Sequence, residues 1–149
     1  MAAFQPDLVI QNDEGDPIAL VEVANPSHLS RDRATEIHRN IMKRGLPKHV
    51  SYLLLLSQDK GYLWENPDRE SEEAPPDYEF SMDEVINRYR TEQMSRRLYT
   101  EVLEFLVFQW LMSLANSEQE SSEEPEKTLS LSGFNKSIKG ATVLFGKVG

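Results

Sequence analysis

The sequence predicts a single α/β domain, a mixed sheet of four or five strands with flanking helices. Three observations predict it. Residues 6–25 hold two apolar runs around a turn crowded with Asn12, Asp13, Gly15, Asp16 and Pro17, the pattern of a hairpin. Residues 31–44 carry Ala34, Ile37 and Ile41 at helical spacing. Residues 50–56 form an apolar run bounded by polar turns, the mark of a central strand buried on both faces. A chain of 149 residues has room for one core and no second one, so residues 1–149 are expected to form one domain with acidic loops at 65–79 and 117–128.

In the hairpin, Ile18, Leu20, Glu22 and Ala24 point one way and Ala19, Val21 and Val23 the other, because strand side chains alternate faces. Glu22 is a carboxylate in an otherwise apolar strand, and such burial is normally offset by a metal, a cation or several hydrogen-bond donors. Asp7 opens the first strand, and an antiparallel hairpin brings it towards Glu22. Residues 24–29 should leave the sheet as a loop. Ser30 is a helix N-cap for residues 31–44, with Gly45 as the stop. Glu36, Arg39, Asn40 and Lys43 fall on the side away from the apolar stripe, as a solvated face or a phosphate-binding one.

After the central strand, residues 58–61 make a tight turn and residues 61–65 return as an antiparallel edge strand. Tyr62 and Trp64 there read either as core cover or as a base-stacking platform. Residues 66–79, acidic and proline-containing, read as a surface linker. Ser81-Met82-Asp83-Glu84 has capping-box spacing and opens a short helix to about Arg90. A second helix starts near Glu92 or Ser95 and ends at Asn116. From Leu98 onward its apolar side chains wrap most of the circumference, which demands burial on more than one side and makes the helix a candidate homodimer seam. Residues 102–115 are too short for a membrane span and contain Glu104, Gln109 and Ser113. Residues 117–128 read as an acidic loop or disordered segment, 129–140 as a helical turn closed by glycine, and 141–148 as a last strand on a sheet edge.

There is no cysteine, so no disulfide, thiolate site or cysteine nucleophile exists, and three histidines do not make a His-rich metal site. The first residues carry neither a basic region nor an apolar core, which predicts a cytoplasmic protein without a secretory signal. The net charge of −9 argues against nucleic acid until its distribution is considered. Residues 65–79 and 117–128 hold twelve of the twenty-five acids and two bases, leaving thirteen acids against fourteen bases elsewhere. Residues 31–48 are basic, with Arg31, Arg33, Arg39, Lys43, Arg44 and Lys48 against Asp32 and Glu36.

On Pro6-Asp7 and Glu22-Val23, joined by a strand, turn, strand and basic helix, the chain resembles the PD-(D/E)XK nuclease superfamily, and more narrowly its small bacterial members with a strand ending in Tyr-Leu-Trp, here residues 62–64. The resemblance covers residues 6 to about 65 and more faintly the helix near 98–116. It implies a restriction-endonuclease-like fold, with Mg2+ or Mn2+ held by Asp7, Glu22 and the backbone carbonyl of Val23. DNA or RNA would then be the substrate of phosphodiester hydrolysis. The family's motif lysine is replaced by Ala24. Either a cation from a neighbouring element (Arg31, Arg39, Lys43 or Lys60) takes its place, with Lys43 assigned to the catalytic set beside Asp7 and Glu22, or efficient catalysis is lost. Arg31, Arg39 and Lys43 are the expected nucleic-acid contacts, and Glu101 or Glu104 would add acids from the long helix. Three function classes follow: a metal-dependent nuclease, a catalytically silent nuclease-like binding module, and an oligomerising protein whose acidic loops recruit a basic partner.

Overall fold

The computed structural model describes residues 4–24, 29–47, 49–67, 74–117 and 123–146. Its core is a six-stranded mixed sheet flanked by helices. The strands are β1 (Leu8–Gln11), β2 (Pro17–Val23), β3 (Tyr52–Leu56), β4 (Lys60–Glu65), β5 (Tyr78–Ser81) and β6 (Thr142–Phe145). They lie in the order β5-β4-β3-β2-β1-β6, with β2 and β3 parallel and every other pair antiparallel.

The parallel pair requires a crossover. Helix α1 (Arg31–Arg44) supplies it, with the Ser30 hydroxyl accepting from Arg33 N at 3.1 Å and Gly45 stopping it, both as expected. Its buried face is Ala34, His38 and Ile41, and the half-buried Ile37 packs beside them. They meet Leu20, Leu53, Leu55, Tyr62 and Trp64 on one face of the sheet. The opposite face, carrying Val21, Val23, Leu54, Leu56 and Leu63, is covered by α2 (Asp83–Tyr89), α3 (Thr100–Asn116), α4 (Glu126–Leu131) and α5 (Phe134–Ser137).

Several expectations change. β4 is not an edge strand: β5 pairs outside it, within the stretch read as linker, whose residues 68–73 lie outside the described residues. Gly61 in β4 faces Phe80, and a Cβ there would lie 2.1 Å from the phenyl ring, so glycine makes this pairing possible. α3 begins at Thr100, later than its apolar pattern suggested. Only one side of it is deeply buried, through Leu103, Leu106, Val107, Trp110, Leu111 and Ala115, while Phe105 remains 53% exposed. Residues 118–122 of the expected acidic loop, and 147–148 of the expected last strand, lie outside the described residues. Residues 25–28 of the loop before α1 do so as well. No helix among the described residues is long and apolar enough to cross a membrane.

The rest of that acidic stretch opens α4 with a buried carboxylate. Glu126 is 4% exposed and accepts from Arg88 Nη2 at 2.9 Å and from Trp110 Nε1 at 3.1 Å, joining α4 to α2 and α3. Burial pushes its pKa up, but the Arg88 and Trp110 hydrogen bonds outweigh that and hold it below the usual value. A depressed folded-state pKa adds stability above the ordinary carboxylate range and loses it as pH falls through the folded value. Arg88→Met strands this carboxylate and should cost about 3 kcal/mol at pH 7. Urea unfolding across pH should show the gap from the parent protein closing below about pH 4.5.

Candidate metal centre at the end of the sheet

The β1–β2 register pairs Leu8 with Val21, so Asp7 stands opposite Glu22 one step beyond the strand. Directly opposed residues point to the same face. That face is the one covered by α1, since Leu20 and Ala24 flank Glu22 and pack there. Asp7 is 7% exposed, and its Oδ2 accepts the Val23 amide at 2.7 Å. Pro6, which the same register places opposite Val23, has no N–H to give the Val23 carbonyl, while the Val23 N–H takes the Asp7 carboxylate as its acceptor. Amide and carbonyl of one strand residue face the same side, so the Val23 carbonyl also turns towards β1. Because Val21 and Val23 use their backbone groups towards β1, Asp7 and Glu22 form a non-hydrogen-bonded pair, whose Cα atoms lie roughly 4.5 Å apart.

Gly146, which motif reasoning did not single out, clamps this corner from β6. Its amide donates to Asp7 O at 2.8 Å, and a Cβ on it would lie 2.3 Å from Pro6 O. Its only sequence signal is a glycine closing a strand.

The strand registers extend the pair into a row crossing five strands: Asp7, Glu22, Leu55, Tyr62 and Glu79. Two residues further along, the next row on the same face holds Ala24, Ser57, Lys60 and Ser81. Lys60 thus stands two strands from Ala24, roughly 10 Å at the sheet spacing. Its ammonium lies 3.5 Å from the Glu79 carboxylate, on the side away from Ala24. Glu22 Oε1 is buried, whereas Glu79 is exposed.

Lys43 is not brought to the carboxylates. At about 100° per residue it lies on the side of α1 opposite Ala34, His38 and Ile41, pointing away from the sheet, and in the last turn of the helix. Arg31, at the start of α1, is exposed, and its Nη2 donates to Pro76 O at 3.4 Å. Arg39 is half-buried with its Nε enclosed, and it lines an open pocket with Asp32, Thr35 and Glu36 on the outer side of α1. Glu101 and Glu104 belong to α3, on the opposite face of the sheet. Tyr62 and Trp64 are not a stacking platform. Both are 1% exposed, and Trp64 stacks on His38 with ring centroids 4.5 Å apart. Among the described residues no group of three or more His, Cys, Asp and Glu stands ready for a metal. The candidate donors are therefore two carboxylates and the Val23 carbonyl.

The Tyr62 hydroxyl donates to Leu29 O at 2.6 Å, tying the entry to α1 onto β4. Burial, with the nearby Glu79 carboxylate, pushes its pKa from 10.0 up to about 12, so at neutral pH it is a donor and never a base. The raised value stabilises the fold fully below pH 10 and progressively less as pH climbs towards 12, because the unfolded chain loses this proton first. Tyr62→Phe should flatten the alkaline loss of stability between those limits, measured by chemical unfolding at stepped pH.

Comparison with protein-family models, with curated proteins and with solved structures gives no match to this chain.

Proposed function

We propose that the chain is a PD-(D/E)XK nuclease-like domain on a restriction-endonuclease-like sheet, acting on phosphodiesters of DNA or RNA with low efficiency. The observation that supports it is the juxtaposition of Asp7 and Glu22 on one face, locked by the Asp7 bond to the Val23 amide. An all-oxygen donor set suits Mg2+ or Mn2+, which commonly take one or two carboxylates and fill the remaining positions with water and substrate oxygens. A carboxylate has about four lone-pair positions, so accepting the Val23 amide does not exhaust Asp7. A divalent ion at this corner supplies the orientation of a water and the neutralisation of charge building on phosphate.

The chain's own residues do the rest. Asp7, Glu22 and the Val23 carbonyl hold the ion, and Arg31 at the same end of the sheet offers a phosphate contact. Ala24 leaves the motif's lysine position without a proton donor or a fixed charge. Lys60, turned to Glu79, replaces it only at a distance. That deficit is the reason for low efficiency.

A second reading, a catalytically silent module that associates with copies of itself, draws on a different observation. Phe105 and Phe145 stay about half exposed beside the edge strand β6, and Phe108 stacks on Phe145 at 4.7 Å. Sedimentation of the intact chain separates the readings, because the silent module requires a dimer and no cleavage.

Mn2+ at ten times its Kd should stabilise the fold by about 1.4 kcal/mol. For a domain of this size that is a Tm rise of roughly 3–6 °C. Asp7→Asn and Glu22→Gln should abolish the rise, and an unchanged rise in both variants removes the metal site. Ala24→Lys should increase Mn2+-dependent cleavage of DNA or RNA about a hundredfold, the low end for a positioned proton-transfer group. No cleavage by either protein leaves only the silent module.

A further inference from the structure

At the same end of the sheet, the β3–β4 turn carries Gln58 and Asp59 towards the α2 side. Gln58 is 7% exposed and spends its whole amide on one loop: Nε2 donates to Arg96 O at 2.8 Å, and Oε1 accepts Leu98 N at 2.9 Å. Arg90 grips the same loop, Nη1 donating to Ser95 O and Nη2 to Arg96 O, each at 3.0 Å. Four side-chain bonds thus fix the main chain of residues 95–98. Their consequence is the placement of two exposed guanidinium groups. Arg96 and Arg97 flank an open groove of about 730 Å3 that Arg90, Gln58, Asp59 and Asp83 also line.

Three arginines face two aspartates there, in a chain whose net charge is −9. Arg97 Nη2 lies 3.1 Å from Asp59 Oδ2, with both side chains more than 40% exposed. A pair so exposed holds weakly, and phosphate, which arginine meets with two parallel bonds, competes with it. The groove is polar and open, so it would leave a small ligand mostly in water, unlike the concave pockets that enclose one. An extended polyanion suits it better. The β3–β4 turn stands at the same end of the sheet as the Asp7–Glu22 corner, with the groove towards α2 and the corner on the face under α1.

We propose that this groove binds the phosphate backbone of a nucleic-acid strand, Arg96 and Arg97 taking successive phosphates while Gln58 and Arg90 hold them in place. The choice of nucleic acid over other polyanions rests on the nuclease-like reading; the groove itself does not.

Anisotropy of labelled single-stranded and duplex DNA and RNA, titrated with the full chain across salt concentrations, tests it. Arg96→Glu should weaken binding about tenfold and reduce the salt slope by about one. Asp83→Asn, which removes an opposing charge, should tighten binding about threefold, a gain that misfolding cannot mimic. Affinities within twofold of the parent protein for both variants overturn the groove. So does inorganic phosphate displacing an oligonucleotide at equal concentration of phosphate groups, which indicates a small-anion site. Mn2+ titration of the same proteins keeps the two proposals apart. Weakened oligonucleotide binding with Mn2+ binding retained supports the groove as a separate element. Absent Mn2+ binding overturns the metal corner and leaves the groove to its own affinities.

Discussion

The hydrogen bond from the Val23 amide to Asp7 Oδ2 is the constraint on which the geometry of the candidate site depends. The β1–β2 pairing stops at Leu8–Val21, and beyond it the Val23 amide takes its acceptor from a side chain. An amide left unpaired in the interior costs about 1–3 kcal/mol. A carboxylate acceptor at 2.7 Å more than offsets that, since charge-assisted bonds are the stronger kind. The bond also fixes the side-chain direction of Asp7, on the face where Glu22 stands. Strand termination and carboxylate pairing are thus one event. Gly146 completes it from the other flank, where any side chain would displace Pro6.

The site lies at this end because of the sheet's one parallel contact. β2 and β3 run the same way, so the chain between them must cross over through α1 and return. The carboxyl ends of both strands, the start of α1 and the β3–β4 turn then gather at one edge. Ligands of open α/β sheets commonly bind outside the carboxyl ends of strands, where connections diverge. Here Asp7 and Glu22 come from a hairpin, Arg31 from the crossover helix, and Asp59 and Lys60 from the β3–β4 turn and the start of β4. Three separate stretches of chain therefore contribute groups to one end. The opposite end holds the Asn12–Asp16 turn and His49.

What was legible in the sequence follows the range over which each feature is determined. The hairpin, α1 with its two caps, and β3 are set by periodicity and punctuation within about fifteen residues, and the alternation within β2 already placed Glu22 on one face with Leu20 and Ala24, the face that α1 covers. The orientation of Lys43 was equally local, since the helical repeat alone sets it opposite Ala34 and Ile41. β5 was hidden because four residues in an acidic, proline-containing stretch carry no usable period. Its strand character comes from β4, and Gly61 with Phe80 makes the match possible. The burial of Glu126 was hidden for a related reason. Composition treats glutamate as solvated, and the arginine that neutralises it lies 38 residues away. The same holds for Gln58 and the loop it anchors, which are 38 to 40 residues apart.

The spacing of charges along the crossing rows sets how well the proposed centre would stabilise charge on a phosphate. On the face under α1, Asp7 and Glu22 form one cluster, and Glu79 with Lys60 and Arg31 near Tyr62 another, with Leu55 between them. A phosphate held at the carboxylate pair would sit roughly 10 Å from the position of Lys60. At that distance a unit charge contributes about 0.4–1.7 kcal/mol across effective dielectric constants of 80 to 20, against about 1–4 kcal/mol at 4 Å. The difference, about 0.6–2.5 kcal/mol, corresponds to a rate deficit of roughly 3- to 60-fold. That estimate covers charge stabilisation alone, and the proton-transfer role of a lysine at position 24 is a further loss. Together they would make the proposed centre slow, while the carboxylate pair is held by the fold itself.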